Sequence, residues 1–556
     1  MTEVFPKTKP DRRYLPDIPS KSEGRRAAGE RYFSQGQADI YSADGKYRYA
    51  SGETVDISEG GMLVKPDKPL RVGDKAVVRF FLSAGTMPEG YESFIKLPAR
   101  VVRVDSSTGY AAFEFAKPLS QYLRRKRWRY FETASLLGIL LTLVGVWFIK
   151  KESIFYFWFD VPVFLYGLCA VFYLLSRFFF AALYKPYPVI PGYQPSVSIV
   201  IPCFNEEEWI EKTIRGCLNQ HYPEERLEVI LVDDGSTDNS VAVARAVQAK
   251  VKDEAGDRLT IHAFEKNQGK RHALAAGARM AKHELVVFVD SDSFLRPDAI
   301  LQVVQPFHNP RIGGATGRCE VENKWTNILT RMQAVRYFIG FRIFKAAESI
   351  FDVVTCLSGP LACYRRDVLM HYLEPWVNQT FLGQPATFGD DRSLTNFVLG
   401  SHYAVYQHNA VCNTIVPSTY GKFFNQQMRW KRSWLRESLR ACKFMWLKEP
   451  FMAISFYLGL ILPVMAPVVV LRAFIFIPVA YGIWPTMYLA GVLLMSMLMC
   501  TSYLLLKRSN LWLYGVPFCF FYLFVLLWQI VWAVLTFWKS DWGTRPSKHD
   551  KGQYMG

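Results

Sequence analysis

The chain has 556 residues, of which 50% are hydrophobic and 15% aromatic, and it carries a formal net charge of +17. That length allows two or three domains, and the composition is rich for a soluble protein, with the excess falling in Phe131–Lys150, Ile154–Tyr184 and Phe451–Trp538. No autonomous soluble module interleaves basic with aromatic residues, which excludes a nucleic-acid partner, and ten cysteines without a C-x-x-C exclude a disulfide frame or a thiolate metal site.

Residues 1–24 are rich in Pro and Lys and are expected to be disordered; they lack the apolar core of a cleavable signal peptide. Residues 25–120 hold short alternating segments such as Lys75–Leu82 and Ala99–Val104, punctuated by Gly and Pro, which predict a small β-barrel. The cluster Arg124–Arg127 and Arg129 then abuts the apolar runs Phe131–Lys150 and Ile154–Tyr184, predicting two transmembrane helices over 130–185. Lys422, Arg429, Lys431, Arg432, Arg436 and Arg440 precede the later apolar runs, so the positive-inside pattern places both soluble domains in the cytosol.

Between the two membrane regions, residues 190–420 alternate β-rich runs (Ser196–Ile201, Val229–Val232, Leu285–Val289) with helical stretches (Glu207–Gln220, Ser240–Val247), predicting an α/β domain. Residues 420–450 read as amphipathic helix lying at the membrane interface. Residues 451–538 predict three or four transmembrane helices, with Phe451–Trp484 either one kinked helix or a hairpin because Pro463, Pro467, Pro478 and Arg472 interrupt it. Charge bias at Lys507-Arg508 and in the tail beyond Lys539 favours the cytosol for both, although a single crossing separates them.

Four clusters in the α/β region and a fifth just after it carry chemistry. Asp233-Asp-Gly-Ser236 follows a strand, where carboxylates can accept from a nucleobase or ribose; a turn and helix cap is an equal alternative. Asn267-x-Gly-Lys-Arg271 sets two cations after a glycine, suited to a diphosphate, or simply a solvated basic turn. Asp290-Ser-Asp292 ends the run Leu285–Val289, where a D-x-D can hold a divalent cation against a nucleotide diphosphate. Gly389-Asp-Asp391 adds a second acidic pair that can deprotonate an acceptor hydroxyl. Gln426-x-x-Arg429-Trp430 puts an amide, a cation and a stacking surface on one helical face, with an interfacial anchor as the alternative.

In this order, and followed by apolar spans, these motifs resemble the processive membrane-embedded glycosyltransferases of family 2, which include cellulose, chitin and hyaluronan synthases. Asn267–Ala273, Ser358–Arg365, Gln379–Gly383, Phe388–Asn396 and Asn425–Trp430 carry a closer likeness to bacterial hyaluronan and chitin-type synthases. The resemblance implies a multidomain membrane protein: an N-terminal β-barrel, an α/β glycosyltransferase A-type domain and an α-helical transmembrane bundle. It further implies that Asp233 and Asp234 contact the uridine of a UDP-sugar donor and that Lys270 and Arg271 contact its diphosphate. Asp290 and Asp292 would hold Mg²⁺ or Mn²⁺, and Asp391 would be the catalytic base. Asp390, Gln426, Arg429 and Trp430 would border the pyrophosphate and the acceptor sugar, with Gly359 shaping the acceptor end. Trp542-Gly-Thr-Arg545, in the tail 539–556, is similar to a gating motif that closes on bound donor; it must be cytosolic, which calls for an even number of crossings after Phe451.

Asp56-Ile-Ser-Glu-Gly-Gly61 is similar to the D-x-S-x-x-G half of the PilZ signature, which binds cyclic di-GMP. The resemblance implies a site made of Asp56, Ser58 and Gly61 with Arg25, Arg26 and Arg31, and an allosteric activator acting through the basic hinge Arg124–Arg129. The usual R-x-x-x-R spacing is absent, since Arg26 and Arg31 are five apart. The expectation is therefore a processive inverting synthase of the bacterial inner membrane, multi-pass, that makes a β-linked exopolysaccharide of the hyaluronan or another hexosamine/uronate type. Its partners would be the UDP-sugar donor, the growing polysaccharide, cyclic di-GMP, the lipid bilayer and export accessory proteins. Alternatives are a single-sugar β-glucan or chitin-type synthase and a lipid-linked monoglycosyltransferase.

Overall fold

The computed structural model describes residues 31–58, 60–82, 93–105, 109–119, 161–255, 258–507 and 509–539. Arg25, Arg26, the hinge Arg124–Arg129, the first apolar run Phe131–Lys150, Trp542 and Arg545 lie outside them. The chain divides into two bodies, one holding a β-barrel and the other a mixed sheet with its helices.

The barrel is built from β1 (Arg31–Tyr41), β2 (Arg48–Ser58), β3 (Gly61–Pro66), β4 (Lys75–Leu82), β5 (Ser93–Val104) and β6 (Ala111–Phe115), closed in the order β1-β2-β3-β6-β5-β4. Its interior follows from period-two alternation: Ala76, Val78 and Phe80 of β4 and Ile95, Leu97, Ala99 and Val101 of β5 are buried, and the residues between them, Val77, Arg79, Lys96, Pro98 and Arg100, are more exposed. Closure removes the free edges that would otherwise invite pairing with other chains. Within this body the β1–β2 register sets Arg31 opposite Ser58, and the Ser58 hydroxyl donates to the Gly61 carbonyl, so these three expected site positions share one end of the barrel.

In the second body, the apolar run after residue 160 forms helix α1 (Val161–Leu183). The sheet follows with β7 (Val197–Cys203), α2 (Ile210–Leu218), β8 (Leu227–Asp233), α3 (Ser240–Ala255), β9 (Leu259–Ala263), α4 (Lys270–Met280) and β10 (Leu285–Phe288). It continues through β11 (Ser293–Leu295), β12 (Ile312–Val321), α5 (Ile328–Ile339), β13 (Ala362–Arg365), α6 (Arg366–Val377), the small hairpin β14 (Thr380–Phe381) and β15 (Gln384–Pro385), α7 (Asp390–Ser401) and β16 (Tyr403–Thr414). The eight-stranded order is β11-β16-β12-β13-β10-β7-β8-β9, with β10, β7, β8 and β9 parallel and β13 antiparallel to both its neighbours. β7 is buried along its whole length, as a parallel strand covered on both faces by helices must be.

Helix α8 (Tyr420–Met445) carries the Gln-x-x-Arg-Trp element, and α9 (Pro450–Leu471) follows it. The run from Pro450 to Tyr481 is helical throughout, including a π-helical segment at Arg472–Phe476, so the expected kinked helix or hairpin is one helix that ends at Tyr481. Together with α1 and α10 (Thr486–Lys507), it gives three helices among the described residues that are long and apolar enough to cross a membrane. The last apolar stretch is broken into short pieces, Asn510–Tyr514, Gly515–Phe521, Tyr522–Leu526 and α11 (Gln529–Val534). Arg436, one of the basic residues of the positive-inside pattern, is 1% exposed: it pairs with Glu437 and donates to the Phe388 carbonyl.

Candidate active site

The motifs converge where parallel strands end. Strand β8 delivers Asp233 and Asp234, and β10 delivers Asp290 and Asp292, to the same carboxyl edge of the sheet, where open α/β folds bind their ligands. The Asp233 carboxylate accepts from the Ser236 amide at 2.9 Å and from the Ser236 hydroxyl, which is the turn-and-cap alternative. Asp234 accepts from the backbone amides of Gln268 (2.7 Å) and Gly269 (3.0 Å) and so fixes the loop that opens α4. Both aspartates are buried and engaged within the protein.

Lys270, the first residue of α4, reaches across the sheet edge to Asp290 Oδ1 at 2.5 Å. Burial works against its charge, but Asp290 and Asp391 outweigh that and hold the ammonium above the usual lysine range. Arg271, expected beside it as a second cation for a diphosphate, turns the other way. It pairs with Asp390 at 2.7 Å with the two side chains only 4% and 6% exposed, and it donates to the Trp376 carbonyl at 3.0 Å. Asp390 is correspondingly neutralised inside the wall rather than offered to a ligand. The physical reason is the 100° turn between successive helix positions, which sends neighbours to different faces.

Gly359 is the meeting point. Its amide donates to Asp391 Oδ2 at 3.0 Å. A Cβ built there would stand 3.0 and 3.1 Å from the two Asp290 oxygens and 3.1 Å from Asp391 Oδ1, so the Ser358-Gly-Pro turn packs tightly against two carboxylates that would have to shift for any larger residue. Burial, reinforced by Asp290, pushes the Asp391 carboxyl up against the opposing pull of Lys270, the direction a general base needs. Asp292 is raised to about 6, first by burial and then by Asp290, with Thr414 3.4 Å from its Oδ1. The enclosed space bounded by Lys270, Asp290, Gly359, Trp376 and Asp391 has room for about one water molecule, too little for a sugar nucleotide.

Helix α8 is locked to this cleft from the far side. Gly389, with a φ of 84° that favours glycine, caps α7 and lies against Ser433, whose Oγ would be 2.0 Å from any Cβ; Arg436 grips the Phe388 carbonyl beside it. Ser433 stands one helical turn beyond Arg429; Arg429 is half-buried and Trp430 is 37% exposed. The Gln426 side chain is half-buried, and its Oε1 has no hydrogen-bond partner among the described residues.

Several residues escaped the sequence reading. Arg336 and Tyr337 of α5 flank Trp430, with the guanidinium 5.4 Å and the phenol ring 6.4 Å from its centre. Gln379 and Glu437 complete the buried network around Arg271 and Asp390. The available signal was Arg336 set between the apolar residues Val335 and Tyr337-Phe-Ile339 at the end of α5, since arginine is rarely buried without a partner.

Residues 198–373 match the glycosyl transferase family 2 profile, and residues 25–132 match the PilZ domain. The chain is similar to hyaluronan synthase of Streptococcus pyogenes, 31% identical over 384 residues that make up 68% of this chain and 90% of that protein. It is also similar to an N-acetylglucosaminyltransferase of Mesorhizobium japonicum, 37% identical over 254 residues, 44% of this chain and 58% of that one. A solved mannosyltransferase from Pyrobaculum calidifontis, in complex with GDP-Man and Mn²⁺, is 22% identical with a TM-score of 0.46, covering 67% of this chain and 98% of that chain.

Proposed function

We propose that this chain, which belongs to glycosyl transferase family 2, is a processive, inverting synthase that polymerises UDP-sugars into a β-linked exopolysaccharide and passes it across the bacterial inner membrane. The observation that carries the reading is the packing of Gly359 against both Asp290 and Asp391, which brings three motifs separated by up to a hundred residues into one van der Waals shell.

In this reading Asp391 accepts the proton of the acceptor hydroxyl, whose oxygen attacks the anomeric carbon while the bond to UDP breaks on the opposite face, inverting the configuration. The raised carboxylate of Asp391 has the direction that proton abstraction favours, and the Gly359 amide holds it in place. Asp290 and Asp292 fit a hard divalent cation, Mg²⁺ or Mn²⁺: both offer oxygen donors, and the upward shift of Asp292 beside Asp290 marks a pair of carboxylates short of positive charge. Among the described residues no group of three ligating side chains stands together, so donor phosphates and water would complete the shell. When bound, the ion would neutralise charge on the departing UDP. Lys270 contacts the diphosphate after releasing Asp290, and Asp234 sets the loop from which Lys270 extends. Trp430 stacks the acceptor sugar, Arg429 and Gln426 orient it against the pyrophosphate, and Trp542 and Arg545 close on the donor. The tail is cytosolic in this arrangement.

The barrel takes cyclic di-GMP through Arg25, Arg26, Arg31, Asp56, Ser58 and Gly61 and activates the transferase. A hyaluronan-type product leads, favoured by the extent of the match to the streptococcal synthase. The N-acetylglucosaminyltransferase likeness keeps a chitin-type polymer as the second reading.

The test is to incubate membranes containing the protein with labelled UDP-glucuronate, UDP-N-acetylglucosamine and UDP-glucose, singly and in pairs, with Mn²⁺ and with or without cyclic di-GMP. A polymer made only from the first two together supports the hyaluronan-type reading, and one made from a single donor supports the alternative. Transfer of one sugar to a lipid acceptor would overturn processive synthesis.

A further inference from the structure

We propose that Arg336 is a positioning residue that fixes the plane of Trp430 and thereby sets how long the enzyme keeps its polymer. This rests on the reading of Trp430 as the acceptor platform. Arg336 lies on α5, outside every motif that suggested the function. Its Nη1 donates to Gln427 Oε1 on α8, and its guanidinium stands 5.4 Å from the centre of the Trp430 ring. Gln427 and Trp430 are three apart, so one guanidinium grips two residues on the same face of α8. The next residue, Tyr337, meets the same indole at 6.4 Å with the ring planes inclined by 52°. Two consecutive residues of α5 thus clamp Trp430, which remains 37% exposed and open to a sugar.

The clamp has a rigid base. Asn327 and Thr330 form a capping box at the start of α5. Asn323 exchanges hydrogen bonds with Val416, and Asn327 and Gln333 donate to the carbonyls of Ser418 and Pro417. These contacts tie α5 to the strap that leads directly into α8, which fixes the register between the two helices before Arg336 is reached. A π-helical segment, Gly340–Lys345, begins four residues after Arg336, an irregularity that recurs at functional sites.

The charge has no competing employment. Among the described residues no carboxylate pairs with Arg336, while the neighbouring cation Lys431 is committed to the Leu526 carbonyl and to Gln529. The guanidinium is therefore compensated by the amide and the indole face, an arrangement that loses both partners together when the side chain is cut back.

The experiment uses the full chain in membranes with the donors that support synthesis. It compares Arg336→Ala, Arg336→Lys and Trp430→Ala for product length, donor KM and the rate of UDP release. Arg336→Ala is expected to shorten the product about 5-fold while donor KM changes less than about 2-fold, because the donor side of the cleft is untouched. Arg336→Lys keeps a cation beside the indole and is expected to restore more than half of the length. If Arg336→Ala does not accumulate as folded protein, Gln427→Leu removes one of the two tethers and is expected to shorten the product about 2-fold. Product of wild-type length from Arg336→Ala, with a short product from Trp430→Ala, would overturn the proposal and leave the acceptor platform standing. Wild-type length from Trp430→Ala as well would take down the platform and the proposal together.

Discussion

Lys270 and Arg271 are neighbours at the start of one helix and meet opposite surroundings. Lys270 opens to the cleft in a pair with Asp290 whose side chains are 22% and 24% exposed, whereas Arg271 lies in the wall in a pair with Asp390 at 4% and 6%. The first pair is accessible and exchangeable, and an incoming donor can take over either partner. The second is a strut, because breaking a pair so deeply buried leaves a bare charge in a medium that solvates it poorly. A motif read along the chain therefore mixes residues that meet the ligand with residues that hold the wall behind it.

Four measurements break or sharpen that contrast. Asp391→Asn removes the proton acceptor at the cleft, and elongation is expected to fall by about 10³-fold or more while UDP binding, measured by calorimetry, persists. Retained turnover would remove Asp391 from the role of base. Exchanging Arg271 for Met strands Asp390 and is expected to destabilise the protein by about 3–5 kcal/mol, seen as a lower melting temperature; exchanging Lys270 for Met is expected to spare stability and weaken UDP-sugar binding about 10-fold. Equal thermal losses in the two variants would erase the distinction between strut and ligand contact. Gly359→Ala pushes a methyl against Asp290 and Asp391, and a drop of about 10²-fold in kcat with the fold intact is expected.

The smallest effect concerns Lys431, whose ammonium burial lowers to about 7, aided by Arg336. The folded state then binds this proton less tightly than the unfolded chain. Its penalty is present in full below about 7 and fades as pH rises toward the ordinary lysine range near 10.4. Melting temperature is therefore expected to rise from pH 7 to 9 more in the native protein than in Lys431→Met, and identical slopes would remove Lys431 as the cause.

Much of the framework was legible because it depends on local patterns. Alternation in Lys75–Leu82 predicts a barrel strand and is one; the run Leu285–Val289 predicts a strand and is β10, ending one residue earlier. Tyr420–Lys448 reads as one amphipathic helix and forms α8 to Met445. Burial of Arg436 was not legible, because the basic residues of that helix look alike in sequence and only its docking on Phe388 and Gly389 separates the one that turns inward. Arg336 was missed for a related reason: its partners lie about ninety residues away, and no local spacing encodes them.

By itself the sequence determined which segments are strands, helices and apolar runs, and which carboxylates and cations stand at strand ends, since periodicity and chain order fix those locally. Only the tertiary structure decided that Asp290, Gly359 and Asp391 touch, that Arg271 and Asp390 neutralise each other out of reach, and that Arg336 grips the helix bearing Trp430. Whether a charge is buried or offered to a ligand depends on what packs across from it, and that neighbour comes from a distant part of the chain.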